Sequence, residues 1–260
     1  KLFCGSYRTP PRKEAAFAQR KRKAAMQIRQ EERFVPGGGY IYRVSHRIME
    51  GDCPCDHGPR WVEVPDLYVD KYPVTNGMYL DFLTSSGYVP ADGANFLRHW
   101  RDGRPLAADL DKPVTWVSPD DARAYAAFYG KSLPTDAEWQ YFASGPRRLK
   151  WPWGDEYDSA RLNDDPLGGL TPADAFPGGA NAYGLLDLSG NAWEITQVCD
   201  DGMHRFMLLR GGSCYKAPHF WHALGGPCAN TSHLKCPLLN EGLNRNANVG
   251  FRCVRRVGNE

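Results

Sequence analysis

The stretch GLLDLSGNAWEITQ, residues Gly184 to Gln197, places two carboxylates, Asp187 and Glu194, on either side of a turn that contains Gly190. Carboxylate and backbone carbonyl oxygens are the ligands that Ca²⁺ prefers, and a glycine lets a short loop bend around the ion. Acidic residues also flank many turns that are held by hydrogen bonds alone. The spacing therefore indicates either a structural Ca²⁺ site or a hydrogen-bonded turn.

The composition is that of a globular protein, with 42% hydrophobic and 24% charged residues among 260. The 27 Gly, 20 Pro and 8 Trp predict many turns and long ordered loops, so regular helix and strand should be a minority. A net charge of +2 favours no nucleic-acid partner. No apolar run approaches the roughly 18 residues of a membrane span, so we expect none.

Two regions are predicted along the chain. Residues 11–33 are rich in Ala, Gln, Arg and Lys, which predicts an N-terminal helical arm within residues 1–33. Its basic run, residues 20–23, is interpreted as a solvated face rather than a contact with an anionic surface. The sequence then becomes Gly-rich and β-prone, which predicts one domain over residues 34–260.

Three helices are predicted in this domain from Ser or Thr residues placed to act as N-caps. The predicted caps and helix ends are, in chain order, Thr75 with Leu83 and Gly87, Ser118 with Gly130, and Thr135 in a capping box with Glu138. From about residue 145 to residue 210, Gly, Pro, Asn and Asp recur every few positions, which predicts a long loop region. A bound cation or disulfides would be needed to hold such loops.

The eight cysteines are an even number that favours an oxidising compartment, and hence a periplasmic or secreted protein. A chain that starts at Lys1 fits either a processed precursor or a trimmed sequence. The disulfide pairing and the oligomeric state are left open.

Five ordered segments resemble one known family. The stretch quoted above is similar to the GLYDMxGNVWEW signature of the formylglycine-generating enzyme or sulfatase-modifying-factor family. The other segments are FVPGGGY (34–40), VDKYPVTNGMYLDFL (69–83), KPVTWVSPDDARAYAAFYGKSLPTDAEWQYFA (112–143), and the pair LLRGGS (208–213) with NVGFRCV (248–254). The resemblance covers roughly residues 34–256.

The resemblance implies a single α+β domain related to C-type lectins, low in regular secondary structure and stabilised by Ca²⁺. It places the cation on the side chains of Asp187 and Glu194 and on the carbonyls of Gly190 and Ala192. A second family cation site would fall near Asn163 and Asp165, but the chain is shorter there, so we do not expect that site.

The copper site of formylglycine generators is expected to be absent. The family places two copper-binding cysteines after the Gly-Gly-Ser motif, in a GGSxxCxxxxC arrangement, and those positions hold Lys216 and Trp221 in this chain. Cys214 comes two places too early and Cys228 too late. Sulfatase activation by a copper thiolate pair is therefore not expected.

The stretch from Lys216 to Cys236 is unusually rich in side chains that can bind metals or form disulfides. The potential ligands are His219, His222, Cys228, His233 and Cys236. The spacing matches no standard zinc module, so a metal site, disulfide halves and a metal-free site wall remain alternatives.

A metal-free acid–base site is the hypothesis we develop. Between Gly202 and Glu260, Glu241 is the only carboxylate side chain, and it lies among Lys and Arg residues. We take Glu241 as the general base, with Lys216, His219 and His222 as catalytic partners. The predicted substrate-binding residues are Tyr215, Phe220, Trp221 and Arg245. An alternative is that Glu241 only pairs with Arg245 one helical turn on.

Three classes of function follow. Within the family, the branch similar in size, export and missing copper cysteines is the periplasmic pyoverdine-maturation branch, which oxidises the dihydropyoverdine chromophore. That resemblance favours an oxidoreductase or tautomerase acting on a small peptide or a peptide-linked chromophore. The alternatives are an oxidase that uses a His/Cys-bound metal, and a peptide- or glycan-binding module without catalysis.

Overall fold

The computed structural model describes residues 31–48, 57–165, 169–200, 205–215 and 226–258, without the side chains of residues 46–48 and 241. Contacts divide the chain after residue 31, and residues 32–260 form one unit. Most of the predicted arm lies outside the described residues. Its last two residues, Glu32 and Arg33, belong to a strand rather than a helix, because they pair with Asp70 and Val69.

Capping side chains begin the three main helices where the sequence predicts them. Helix α1 is Asn76–Ser86, α2 is Pro119–Phe128 and α3 is Asp136–Ser144. Thr75, Ser118 and Thr135 accept hydrogen bonds from the backbone N–H three residues on, which confirms the predicted caps. Helix α1 runs three residues beyond the predicted end, up to Gly87. A single turn, α4, is Glu241–Asn244.

The strands form three small sheets. In chain order they are β1 Glu32–Val35, β2 Gly38–Tyr42, β3 His46–Ile48, β4 Arg60–Val64, β5 Leu67–Asp70, β6 Trp193–Asp200, β7 Arg205–Arg210, β8 Ser232–Pro237, β9 Val249–Gly250 and β10 Val254–Arg256. The sheets have the orders β1-β5-β10, β2-β4 and β3-β8-β7-β6-β9. The prediction of a loop region up to residue 210 is therefore wrong from residue 193 onward, because β6 and β7 pair with each other there.

Two apolar clusters form the core. The first packs α1 and α2 against the five-stranded sheet and includes Tyr79, Phe82, Tyr125 and Phe251, all fully or almost fully buried. The second lies between α3 and the two smaller sheets, around the fully buried Trp139. Long loops connect these clusters, as the low content of regular structure predicts.

Three buried arginine–carboxylate pairs tie the C-terminal strands and loops to α2, α3 and β6. Arg210 pairs with Asp136 at the start of α3, Arg245 with Asp121 in α2, and Arg252 with Glu194 in β6. All three guanidinium groups are fully buried. These pairs fix the loops that surround the candidate site.

Every helix in the described part of the chain is too short or too polar to cross a lipid bilayer.

Candidate functional site

A cleft of about 410 Å³ opens directly after the turn Gly211–Ser213. Its volume falls within the range of small-molecule sites, about 300–1,000 Å³. None of its described lining residues carries a formal charge, and they combine aromatic rings with amides. They are Trp116, Gly169, Leu170, Cys214, Tyr215, Asn246, Ala247 and Asn248. The lining suits an uncharged, partly aromatic ligand.

The Gly-Gly-Ser turn shapes one side of this cleft. Gly212 has φ +82°, and a Cβ there would lie 2.3 Å from the carbonyl oxygen of Gly226, so only glycine fits. Ser213 N–H donates to that same carbonyl at 3.2 Å, and Asn248 Nδ2 donates to Ser213 Oγ at 3.2 Å. The turn thereby places Cys214 and Tyr215 in the wall.

Trp116 is an aromatic lining residue of the cleft, and its backbone conformation is strained. Its φ is +58°, which is an outlier for a bulky residue. Its N–H donates to Asn246 O at 2.9 Å and its carbonyl accepts from Leu97 N–H at 3.0 Å. The Arg98 guanidinium lies 5.5 Å from the centroid of the indole ring. Backbone strain that is held by neighbours on both sides is typical of functional positions.

Cys214 lines the cleft, and its thiol is protonated. The residue is buried, and its N–H donates to Asn191 O at 3.0 Å. Burial raises the pKa of the thiol above its usual value. Tyr215, which also lines the cleft, is in contrast 49% exposed.

A second, smaller cavity of about 210 Å³ adjoins the cleft. The two cavities share Trp116, Leu170 and Ala247. The smaller one is also lined by His99, Asp109, Lys112 and other polar residues. The His, Asp and Lys side chains that the structure describes at this site therefore line the smaller cavity.

The loop that contains Asp187 offers one carboxylate suited to a cation. Burial raises the pKa of Asp187 to about 8, and Asn191 Nδ2 donates to its carboxylate at 2.8 Å. Asp187, Gly190 and Asn191 all have positive φ. A Cβ at Gly190 would lie 2.4 Å from Asn163 O. A tightly turned loop with a poorly neutralised carboxylate fits a hard cation such as Ca²⁺.

Glu194 fits that cation less well. Arg252 donates to both of its carboxylate oxygens at 2.6 to 2.8 Å, and Trp139 Nε1 donates to Oε2 at 2.6 Å. Its charge is thus already neutralised inside the protein. Glu194 is therefore the least suitable of the four Ca²⁺ ligands that the resemblance implies.

The chain matches the sequence pattern of the Sulfatase-modifying factor enzyme 1-like domain over residues 16–257. It belongs to this family. The formylglycine-generating enzyme of Mycobacterium tuberculosis is 28% identical over 85% of this chain and 96% of that protein. The inactive C-alpha-formylglycine-generating enzyme 2 of Bos taurus is 32% identical over 77% of this chain and 81% of that protein. The family therefore includes relatives described as inactive.

Solved structures share the fold. PvdO from Pseudomonas aeruginosa aligns with a TM-score of 0.61 and 20% identity, over 86% of this chain and 93% of PvdO. CarF aligns with a TM-score of 0.60 and 20% identity, over 87% of this chain and 98% of CarF. The predicted α+β fold of the formylglycine-generating enzyme family is thereby confirmed.

Several of the predicted site residues of this family member lie outside the described residues. They are Lys216, His219, Phe220, Trp221 and His222. The backbone of Glu241 begins α4, and its side chain is outside the description. Tyr215 lies in the cleft wall, at the position proposed for substrate contact.

Arg245 does not face the cleft, so its assignment as a substrate-binding residue is corrected. Its guanidinium is fully buried and donates to both carboxylate oxygens of Asp121, at 2.8 and 3.2 Å. It also donates to the backbone carbonyls of Asp92 and Ala94. Arg245 therefore holds the loop that contains Asp92 and Ala94 against α2.

The described members of the His/Cys stretch do not converge. His233 and Cys236 lie three positions apart in β8, so their side chains leave opposite faces of the strand. Cys228 is buried beside Gly211, outside β8. Within the described ranges no group of three potential ligands could hold a metal ion. The five cysteines described there carry free thiols.

Sequence reasoning missed Trp116, His99 and Asn248 as site residues. Trp116 lies between Thr115 and Val117, in a run whose pattern predicts a buried segment. Its positive φ cannot be inferred from the amino-acid composition. Asn248 is the first residue of the recognised NVGFRCV segment. Trp116 also lies in a recognised segment, residues 112–143, so membership of the motifs was the available signal for both residues.

A larger depression of about 620 Å³ lies around Lys131, Arg255 and Arg256. Each of these cations is already paired with a carboxylate, from Asp70, Glu32 or Glu138. The depression also lies apart from the Gly-Gly-Ser turn. The smaller, uncharged cleft is therefore the better candidate site.

Proposed function

We propose that this protein is a periplasmic or secreted oxidoreductase of its family that works without a copper thiolate pair. The proposed substrate is a peptide-linked aromatic chromophore of the dihydropyoverdine type. The observation that carries the proposal is the uncharged cleft after the Gly-Gly-Ser turn, walled by Trp116 and Tyr215, with Asn246 and Asn248 available to hydrogen-bond a polar edge.

The cleft chemistry matches such a ligand. A flat, partly conjugated ring packs well against Trp and Tyr faces, and two amides supply both donors and acceptors. The fold shared with PvdO is compatible with this assignment, and the Lys216 and Trp221 positions supply no thiols for copper.

The proposed reaction removes two electrons and two protons from the dihydro ring, one proton from carbon and one from nitrogen or oxygen. Dioxygen accepts both electrons and both protons and leaves as hydrogen peroxide. Glu241 stays the proposed base for the carbon-bound proton. Asp187, with the carbonyls of Gly190 and Ala192, is proposed to hold a structural Ca²⁺.

The test is incubation with a dihydropyoverdine-type chromophore while absorbance, fluorescence and hydrogen peroxide are followed. We expect conversion that persists after a copper chelator is added and falls in Trp116→Ala and Glu241→Gln. Trp61→Ala is the matched control, because Trp61 is an exposed tryptophan on β4. Ligand binding without conversion would instead identify a binding module.

A further inference from the structure

Asn191 lies in the loop that contains Asp187, and it is fully buried. Thr171 fixes the orientation of the Asn191 amide. The Thr171 N–H donates to Oδ1 at 3.0 Å, and the Thr171 carbonyl accepts from Nδ2 at 3.1 Å. The same Nδ2 donates to the Asp187 carboxylate at 2.8 Å. One buried amide therefore joins the Asp187 carboxylate to the backbone of Thr171.

The backbone of Asn191 makes two further connections. Its carbonyl accepts from the Cys214 N–H at 3.0 Å, and its N–H donates to the Asn163 carbonyl at 2.9 Å. Asn163 Nδ2 in turn donates to Asn191 Oδ1 at 3.1 Å and to the Gly169 carbonyl at 2.8 Å. Both polar side-chain atoms and both polar backbone atoms of Asn191 are thus hydrogen-bonded.

These partners belong to two separate segments of the cleft lining. Gly169 and Leu170, directly before Thr171, line the cleft in one segment, and Cys214 lines it in the other. Leu170 also lines the smaller cavity. The two segments are far apart in the chain, and both bind Asn191. A displacement of Asn191 would therefore disturb both segments of the lining.

We propose that Asn191 is a positioning residue of the cleft and transmits the state of the Asp187 site to both lining segments. Side chains that hydrogen-bond to a metal-binding carboxylate are coupled to the metal through it. Because the Asp187 carboxylate orients the Asn191 amide, fixing this carboxylate with a bound Ca²⁺ also fixes Thr171 and Cys214.

The consequence for the cleft is regulation by the cation. A cleft whose lining is already ordered loses less conformational entropy when a ligand binds. Ca²⁺ at Asp187 should thus favour ligand binding in the cleft, although the two sites share no ligand atom. The inference rests on the cleft and the Ca²⁺ of the proposed function, and it adds the link between them.

Hydrogen exchange measures this link directly, because Asn191 accepts a hydrogen bond from the N–H groups of Thr171 and Cys214. NMR follows both amides in the full chain, with CaCl₂ or with the chelator EGTA at equal ionic strength. We expect Ca²⁺ to slow both exchange rates at least about fivefold, the lower end of typical couplings between sites. The exposed Gly87 N–H at the end of α1 is the reference and should not respond.

Asn191→Gly separates the amide from the backbone. Asn191 has φ +56°, which glycine adopts without steric cost, so the carbonyl that binds the Cys214 N–H is retained. Cys214 should then stay hydrogen-bonded but lose its response to Ca²⁺. Asn95→Gly is the matched control, because Asn95 also has a positive φ, +59°, and its amide binds the Gly242 carbonyl instead. That variant should keep both responses.

Two results would overturn the positioning role. One is a wild-type protein in which Ca²⁺ changes neither exchange rate, and this measurement requires no variant to fold. The other is a Cys214 response that persists in Asn191→Gly, since the amide would then not be the link. Chromophore oxidation does not enter either measurement. Responses of both amides without any oxidation would support the positioning role and contradict the proposed reaction, and oxidation without these responses would do the reverse.

Discussion

The guanidinium of Arg252 binds both carboxylate oxygens of Glu194 in the protein interior, at 2.6 to 2.8 Å. It also donates to the carbonyls of Asp70 and Leu186, so one side chain joins β5, β6 and the loop before Asp187. The Asp187 loop therefore depends on an internal cation as well as on any bound metal.

Arg252→Met should lower the free energy of unfolding by about 3–5 kcal/mol, because Glu194 would remain buried without its partner. Urea denaturation measures the change. The control is Arg255→Met, since Arg255 is 45% exposed in its pair with Glu32 and such pairs contribute about 0–1 kcal/mol. The double variant Glu194→Gln, Arg252→Met should recover part of the loss. Equal losses for the two arginine variants would contradict a stabilising internal pair.

Asp187 should make the protein less stable as the pH rises. Its folded-state pKa is about 8, above the unfolded value near 3.9, so the folded state holds the proton more tightly between these limits. Stability from this group is full below about pH 4 and is lost as the pH rises through 8. Asp187→Asn should remove that slope, measured as melting temperature against pH.

Ca²⁺ should oppose this loss, because a bound cation favours the ionised carboxylate. At pH 8, adding Ca²⁺ should raise the melting temperature of the wild type and not that of Asp187→Asn. Asp102→Asn, which changes an exposed acid, serves as the control. If neither Ca²⁺ nor a chelator changes the melting temperature of the wild type, the cation proposal is wrong.

Trp116→Gly should be more stable than Trp116→Ala by roughly 1 kcal/mol. Both variants lose the indole, but only glycine adopts a φ of +58° without steric cost. Thermal unfolding of the two variants gives the difference. Ala122→Gly in α2 is the reverse control, because glycine there should destabilise the helix. Equal stability of the two Trp116 variants would show that position 116 is unstrained.

Arg245→Met should destabilise the fold rather than weaken ligand binding alone. The buried Asp121 would lose its partner, at a cost of about 3–5 kcal/mol. Arg98→Met is the matched variant, since Arg98 is exposed and lies over the Trp116 ring. We expect Arg98→Met to fold normally and to affect only cleft binding. A stable Arg245→Met protein with impaired binding would restore Arg245 as a substrate contact.

The helices could be predicted because their signals are local. The hydroxyl groups of Thr75, Ser118 and Thr135 each accept from an N–H three residues away, so the cap and the helix start lie in one short segment. The family could be recognised for the same reason, since each of its motifs is a continuous stretch.

Strand pairing required the fold. Residues 193–200 and 205–210 lie in or next to a Gly- and Asn-rich region, yet they form β6 and β7 because partners on both sides complete the sheet. Short strands of this kind have weak propensities, and packing against other strands decides them.

The sequence was sufficient for the family and the helix starts, both of which depend on residues close together in the chain. The tertiary structure assigned Arg245 to a buried pair with Asp121, 124 residues away. It also brought His99, Trp116 and Asn248 to one pair of cavities. Burial and charge neutralisation arise from such distant contacts, which no local pattern encodes.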